Sequence, residues 1–312
     1  MKDAKMKLIP YKVESLQTST NEIPFGVKML QAPQVWEKGE KGAGIVVAIL
    51  DTGIDTEHPD LKDNIIGGRN FTDEGRHDDF RDGNGHGTHV AGTIAAVENG
   101  SGVVGVAPEA KLLIGKVLGS DGSGSHAGII KAIQWATDWR GENNERVRVI
   151  NMSLGGGYND PRMYKAILRA CAAGIVVCVA SGNEGDAKEE TYEFSYPALY
   201  SECATIAACD EDKKLAYFSN NSLQVDFIGA GVKVLSTYPT SQYATLSGTS
   251  MATPHISGAF ALAIAIGEKQ FKRTLTTQEI YGLMAKCTCS LGYEKSSEGN
   301  GLPELTRLFE EC

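Results

Sequence analysis

A succession of apolar runs, each closed by a polar or glycine-bearing turn, restricts what this chain can fold into. GIVVAILDTG at residues 44–53 is apolar on consecutive positions rather than alternate ones, and AKLLIGKVL at 110–118, RVRVINMSLGG at 146–156, GIVVCVASGN at 174–183 and ECATIAAC at 202–209 read as further strands. A strand written that way is buried on both faces, as in a parallel sheet. Between them lie stretches with helical spacing: HVAGTIAAV at 89–97, HAGIIKAIQWATDW at 126–139, and PRMYKAILRACAAG at 161–174, which closes on Gly174 as a helix-ending glycine. VDFIGAG at 225–231 and VKVLST at 232–237 read as shorter strands. Strands alternating with helices predict an α/β fold: a doubly wound, mostly parallel sheet with helices on both faces, in three layers. Such sheets bind ligands beyond the carboxyl ends of their strands. Asp51, Ser153 and Asn183 each close one of these strands, so they are expected to meet on one face.

Residues 246–265, LSGTSMATPHISGAFALAIA, put Ser250 between a glycine-bearing turn and an apolar helix. A serine there is ordinarily a helix cap. The same position offers free backbone N–H groups and the positive dipole end to a hydroxyl that must act as a nucleophile. Two other stretches supply partners. Asp51 ends a buried strand, where a carboxylate is partly desolvated and needs a partner. Its Asp-Thr-Gly also fits an aspartic protease, but that chemistry needs a second facing carboxylate, and the chain has no other Asp-Thr-Gly or Asp-Ser-Gly. Residues 82–89, DGNGHGTH, lead through glycines into a helix with two of the six histidines. His86 and His89 could be metal ligands, but no H-E-x-x-H accompanies them. Alternatively His86 is a general base at the helix start and His89 a packed helix residue.

Charge and cysteine content narrow the setting. The net charge of -9 argues against nucleic acid as the main partner. The N-terminal residues contain no apolar run of secretory type, and no uninterrupted apolar run of about 18 residues indicates a membrane span. The seven cysteines, Cys171, Cys178, Cys203, Cys209, Cys287, Cys289 and Cys312, form no evident disulfide or zinc framework. They suit a reducing, cytoplasmic compartment. The glycine loops lack the G-x-x-x-x-G-K-[ST] or strand-following G-x-G-x-x-G of a nucleotide site.

The order Asp51, His86, Ser250 is that of subtilisins among serine hydrolases. AILDTGIDTEHPDL, DGNGHGTHVAGTIAA, NMSLGG, ASGNEG and LSGTSMATPHISG resemble the motif blocks of the subtilisin (subtilase) family over most of the chain. The resemblance implies a serine endopeptidase. Ser250 attacks the scissile carbonyl, His86 carries the proton, Asp51 orients His86, and Asn183 donates to the oxyanion. It implies that Gly122-Ser123-Gly124 and Ser153-Leu154-Gly155-Gly156 sandwich a polypeptide substrate as a strand. Ala180-Ser181-Gly182 would wall the pocket for the residue before the scissile bond, with Glu184 at its rim or base. It also implies a structural Ca²⁺ held by Asn21, Asp60 and Asn99 with the carbonyls of Val97, Ser101 and Val103, and a weaker cation near Ala198, Tyr200, Cys203 and Asp226.

The departures point to a subfamily. About 20 residues precede the family's usual start, and they carry the apolar island Leu8-Ile9-Pro10-Tyr11. This resembles the prosegment of intracellular subtilisins, which lies in the active-site cleft and blocks it. Apolar side chains can fill subsites there, while Pro10, with a fixed φ and no N–H, bends the backbone away from attack. The expected division is an inhibitory prosegment at 1–20, a peptidase domain at 21–301 and an extension at 302–312. The extension is expected to be amphipathic, with Leu302, Leu305, Leu308 and Phe309 on one face, docked on its own domain or forming a homodimer. The competing function is a catalytically silent peptide-binding pseudo-protease.

Overall fold

Seven strands pair in parallel in the order Val225–Ala230, Ala204–Cys209, Val176–Ala180, Val147–Met152, Val46–Asp51, Lys111–Lys116 and Ile65–Asn70. The computed structural model describes residues 5–188 and 190–310. Residues 1–4 of the expected prosegment, Glu189, and residues 311–312 with Cys312 lie outside the described residues. All six side chains of Val46–Asp51 are buried. Val47 and Ile49 pack on one face, and Val46, Ala48 and Leu50 on the other. That two-sided burial is why the apolar runs are continuous.

Three layers result. Helices His86–Ala95 and Thr249–Phe271 share one core with Val47 and Ile49, and helices His126–Asp138 and Pro161–Ala172 share the other. Thr249–Phe271 is long and apolar enough to cross a membrane, but 94% of its apolar window is buried inside the protein, so it is a core helix. The chain runs from Val46–Asp51 toward the Ile65–Asn70 edge, then returns to build the opposite side from Val147 onward. Asp51 therefore ends a strand at the point where the winding reverses, and such a crevice is where ligands bind.

The N-terminal segment adds strands to two smaller sheets. Lys5–Leu8 lies antiparallel between Ser123–Ser125 and Leu154–Gly155. Lys12–Gln17 pairs antiparallel with Gln242–Ser247, which pairs on its other side with Val234–Tyr238.

Three elements differ from expectation. Ile65–Asn70 (IIGGRN) and Gln242–Ser247 (QYATLS) are strands without an apolar run. The C-terminal stretch is not one amphipathic helix. Leu302–Pro303 pairs with Thr288–Cys289, and a 3-10 turn spans Leu305–Phe309. Pro303, without an N–H, suits the strand and not a helix interior. Leu302 and Leu305 are fully buried, Leu308 nearly so, and Leu305 N donates to Leu30 O at 3.1 Å. The stretch is thus docked on its own domain, which leaves the expected homodimer without support from this surface.

Candidate active site

His86 and Asp51 are both buried, and His86 Nδ1 lies 2.8 Å from Asp51 Oδ1. The same oxygen accepts from Thr52 N at 2.8 Å, so the strand-end turn and the imidazole share one acceptor. Gly87 lets the helix approach that turn: a Cβ on it would stand 2.2 Å from Gly53 O. Among the described residues, His86 Nε2 has no hydrogen-bond partner. The Tyr11 ring lies over the imidazole, with centroids 4.9 Å apart. Burial pushes the Tyr11 phenol up to about 12, helped by Tyr238, Asp51 and Asp82, so it stays neutral. Its hydroxyl donates to Asn84 Oδ1 at 3.1 Å.

His89 does not share a metal with His86. Its Nε2 faces the carbonyl oxygens of Val234 and Ala244 at 3.0 and 3.1 Å, and burial pushes it down to about 3. It is the packed helix residue.

Ser250 is the second residue of helix Thr249–Phe271, fully buried under the N-terminal segment. Gly248 precedes it with φ +158° and ψ 161°, and a Cβ there would stand 2.8 Å from Asn183 Nδ2. Ser250 Oγ donates to Ser153 O at 3.3 Å rather than to His86. The Asp–His half of the expected triad is joined; the Ser–His half is not.

Asn183 is aimed by Thr249. Thr249 N and Oγ1 both donate to Asn183 Oδ1, at 2.9 and 2.8 Å. The carboxamide oxygen is thereby fixed and the Nδ2 turned to the cleft. There it donates to Pro10 O at 2.6 Å.

The two cleft strands hold residues of the chain itself. Lys7 pairs with Ser123 and Gly155, Met6 with Gly124 and Leu8 with Leu154, while Leu8 N donates to Gly122 O at 2.8 Å. Gly156 stands apart from this ladder and exchanges both backbone bonds with Tyr196, at 3.0 and 2.7 Å. Ile9 is buried beside Gly155, its Cγ1 3.4 Å from where a Cβ on that glycine would stand. Ala180 and Ser181 are buried. Glu184 is tied to Asn220: its Oε2 accepts from Asn220 Nδ2 at 2.8 Å, and its N donates to Asn220 Oδ1 at 2.6 Å.

Asp60 is fully buried, and its described partners are neutral: Asn99 Nδ2 at 2.9 Å, Val103 N at 3.1 Å and Tyr243 OH at 3.0 Å. Asn99 Oδ1 is turned to Ser101 N at 3.0 Å. Asn21 is exposed, on a strand Asn21–Glu22 that pairs with Gly102–Val103. At the weaker expected site the oxygens have protein donors. Ala198 O accepts from Thr205 Oγ1 at 2.7 Å, and Asp226 accepts from Thr205 N at 2.8 Å and Tyr281 OH at 2.5 Å. Burial raises Asp226 to about 6.

Sequence reasoning missed Asp82. Its Oδ1 accepts from Thr52 Oγ1, Asn84 N and Gly85 N, and its Oδ2 from Thr88 N and Oγ1, all at 2.7–2.9 Å. One carboxylate thus shapes the loop that carries His86. The Asp-Gly-Asn-Gly turn was the available signal.

A cleft that lays a stretch of polypeptide out as a strand, beside a serine at a helix start, is built to work on peptide backbone. Residues 42–301 match the Subtilase family, and the chain belongs to it. It is 48% identical over 316 residues to the Intracellular serine protease of Paenibacillus polymyxa, covering 99% of this chain and 95% of that one. It is 45% identical over 307 residues to the Major intracellular serine protease of Bacillus subtilis (strain 168), covering 97% and 94%. It is 43% identical over 243 residues to Subtilisin DY of Bacillus licheniformis, covering 78% and 85%. The chain is a subtilisin-like serine endopeptidase, a hydrolase of peptide bonds.

Proposed function

We propose that this endopeptidase works inside the cell through Ser250, His86 and Asp51, and that residues 1–20 hold it latent. The relatives called intracellular support the compartment, as do Cys171, Cys178, Cys203, Cys209 and Cys289, which form no disulfide among the described residues. In the reaction, Ser250 Oγ attacks the scissile carbonyl carbon and its proton passes to His86 Nε2. The C–N bond then breaks as His86 returns that proton to the leaving amine, and water releases the acyl group by the same steps reversed. Asp51 keeps the Nδ1–H in place, which leaves Nε2 to accept. Asn183 Nδ2 and the unshared N–H of the first helical turn stabilise the tetrahedral oxyanion.

The observation that carries the latency is a mismatch of one residue. Ile9 is buried beside Gly155 of the cleft strand, but the carbonyl on Asn183 belongs to Pro10. In a productive complex the pocket and the oxyanion donor serve the same residue. Here the Ile9 carbonyl is off that donor. The Ser250 hydroxyl is turned to Ser153 O, and Tyr11 covers the imidazole. Ile9 to Ala removes buried apolar contact worth about 2–4 kcal/mol. The full-length variant is expected to hydrolyse casein at least roughly tenfold faster than the parent chain, since about 1.4 kcal/mol is a factor of ten. Ser250→Ala in the same chain abolishes that activity. The missing Ser250–His86 bond also suits a peptide-binding pseudo-protease, and no hydrolysis by any full-length variant would favour that reading.

A structural Ca²⁺ fits the oxygen set around Asp60, a buried carboxylate with only neutral described partners. Asp60, the Asn99 amide oxygen after rotation, and the carbonyls of Val97, Ser101 and Val103 would hold it, with Asn21 beside them; the ion would neutralise Asp60 and tie the 97–103 loop to the domain. Chelation with EGTA is expected to lower the melting temperature, and Asp60→Asn to remove that sensitivity. An identical melting curve with and without EGTA would count against the site.

A further inference from the structure

The segment crosses the whole cleft, and its second half marks a site beyond the catalytic residues. With the Pro10 carbonyl on Asn183, Tyr11 is the first residue on the leaving side, Lys12 the second and Gln17 the seventh. Lys12 pairs with Ser247, Val13 with Leu246, Ser15 with Thr245, Leu16 with Ala244 and Gln17 with Tyr243, with Glu14 bulged between. Gln242–Ser247 has Val234–Tyr238 on its other side. Once Lys12–Gln17 is removed, this strand becomes a sheet edge with a row of unpaired N–H and C=O groups.

We infer that in the activated enzyme this edge binds the leaving-group side of the substrate, out to about the seventh residue, as an added antiparallel strand. The inference rests on the proposed activation by loss of the segment. The recognition is made by backbone. Val13 and Leu16 are 47% and 55% exposed, so the edge gives their side chains little pocket. The Glu14 carboxylate accepts from Ser247 Oγ at 3.3 Å, the one side-chain hydrogen bond described between the two strands. The substrate class is therefore extended, unfolded polypeptide of varied sequence rather than short peptides. A peptide that ends two residues past the scissile bond reaches only Ser247 and forgoes the ladder.

The test folds the full chain, with residues 18–20 replaced by a recognition site for an added protease, and then cuts it there. Quenched fluorescent peptides share their residues before the scissile bond and carry two, four or seven after it. The expected result is a rise in kcat/KM of at least about tenfold from two to seven residues, what a few net backbone hydrogen bonds supply. N-methylation at successive leaving-side positions of the long peptide should reduce cleavage at alternate positions, the period of a strand ladder. Equal kcat/KM at all three lengths overturns the inference and leaves the proposed protease standing. No cleavage of any peptide overturns both.

Discussion

Pro254 has no N–H to give to the carbonyl of Ser250, four residues earlier in the same helix. A buried carbonyl left that way is costly, and Ser153 supplies the missing donor: its Oγ donates to Ser250 O at 3.0 Å. Behind it, Asn151 Nδ2 donates to Ser153 Oγ at 3.1 Å and Ser257 Oγ donates to Asn151 Oδ1 at 2.8 Å. These groups are fully buried. The backbone of Ser250 is therefore held from below by the same residue whose carbonyl receives its hydroxyl. Ser153→Ala is expected to cost about 1–3 kcal/mol in urea unfolding, the penalty for orphaning a buried acceptor. It should also lower kcat more than KM on a short peptide, because Ser250 loses its fixed place. Unchanged stability would refute the arrangement. The sequence offered Ser153 as a cleft-strand residue only. Its bond to Ser250 joins residues 97 apart and has no local signature.

The long helices and their strands set a pH limit. His89 is held down to about 3 and His255 to about 4, both chiefly by burial, whereas an unfolded histidine titrates near 6.5. Between about pH 4 and 6.5 the unfolded chain binds two protons here that the folded chain does not, so stability falls as pH falls. Asp226, raised to about 6, works the other way: below that pH the folded state holds a proton that an unfolded aspartate releases down to about 4. The balance of these three groups is one proton, or a loss of about 1.4 kcal/mol per pH unit between about pH 6 and 4.5. Asp226→Asn removes the opposing proton and should roughly double that slope in denaturant titrations across the same window. An unaltered slope would show that burial does not control Asp226. The buried elements were also the legible ones, since two-sided burial writes itself as a continuous apolar run. Ile65–Asn70 and Gln242–Ser247 were missed because their half-buried positions carry Gly, Gln and Thr, which are turn and surface residues in isolation. The C-terminal stretch misled because four apolar residues at helical spacing fit a strand followed by a tight turn equally well.

Across the whole molecule, the proposed catalytic residues, the cleft strands and the apolar island were all readable as motifs. Their mutual register was not. The offset between Ile9 in its pocket and the Pro10 carbonyl on Asn183 depends on how the segment threads between Gly122–Gly124 and Leu154–Gly155, and no spacing in the chain encodes it. On the proposed reading, that offset keeps Ser250, His86 and Asp51 from acting on the peptide lying across them. The direct test is intact-mass analysis after a fluorophosphonate serine probe, on the full chain cleavable at 18–20, before and after the cut. No adduct is expected before the cut, and one adduct afterwards, mapped to Ser250. Equal labelling in both states would contradict the latency, and no labelling in either would contradict Ser250 as a nucleophile.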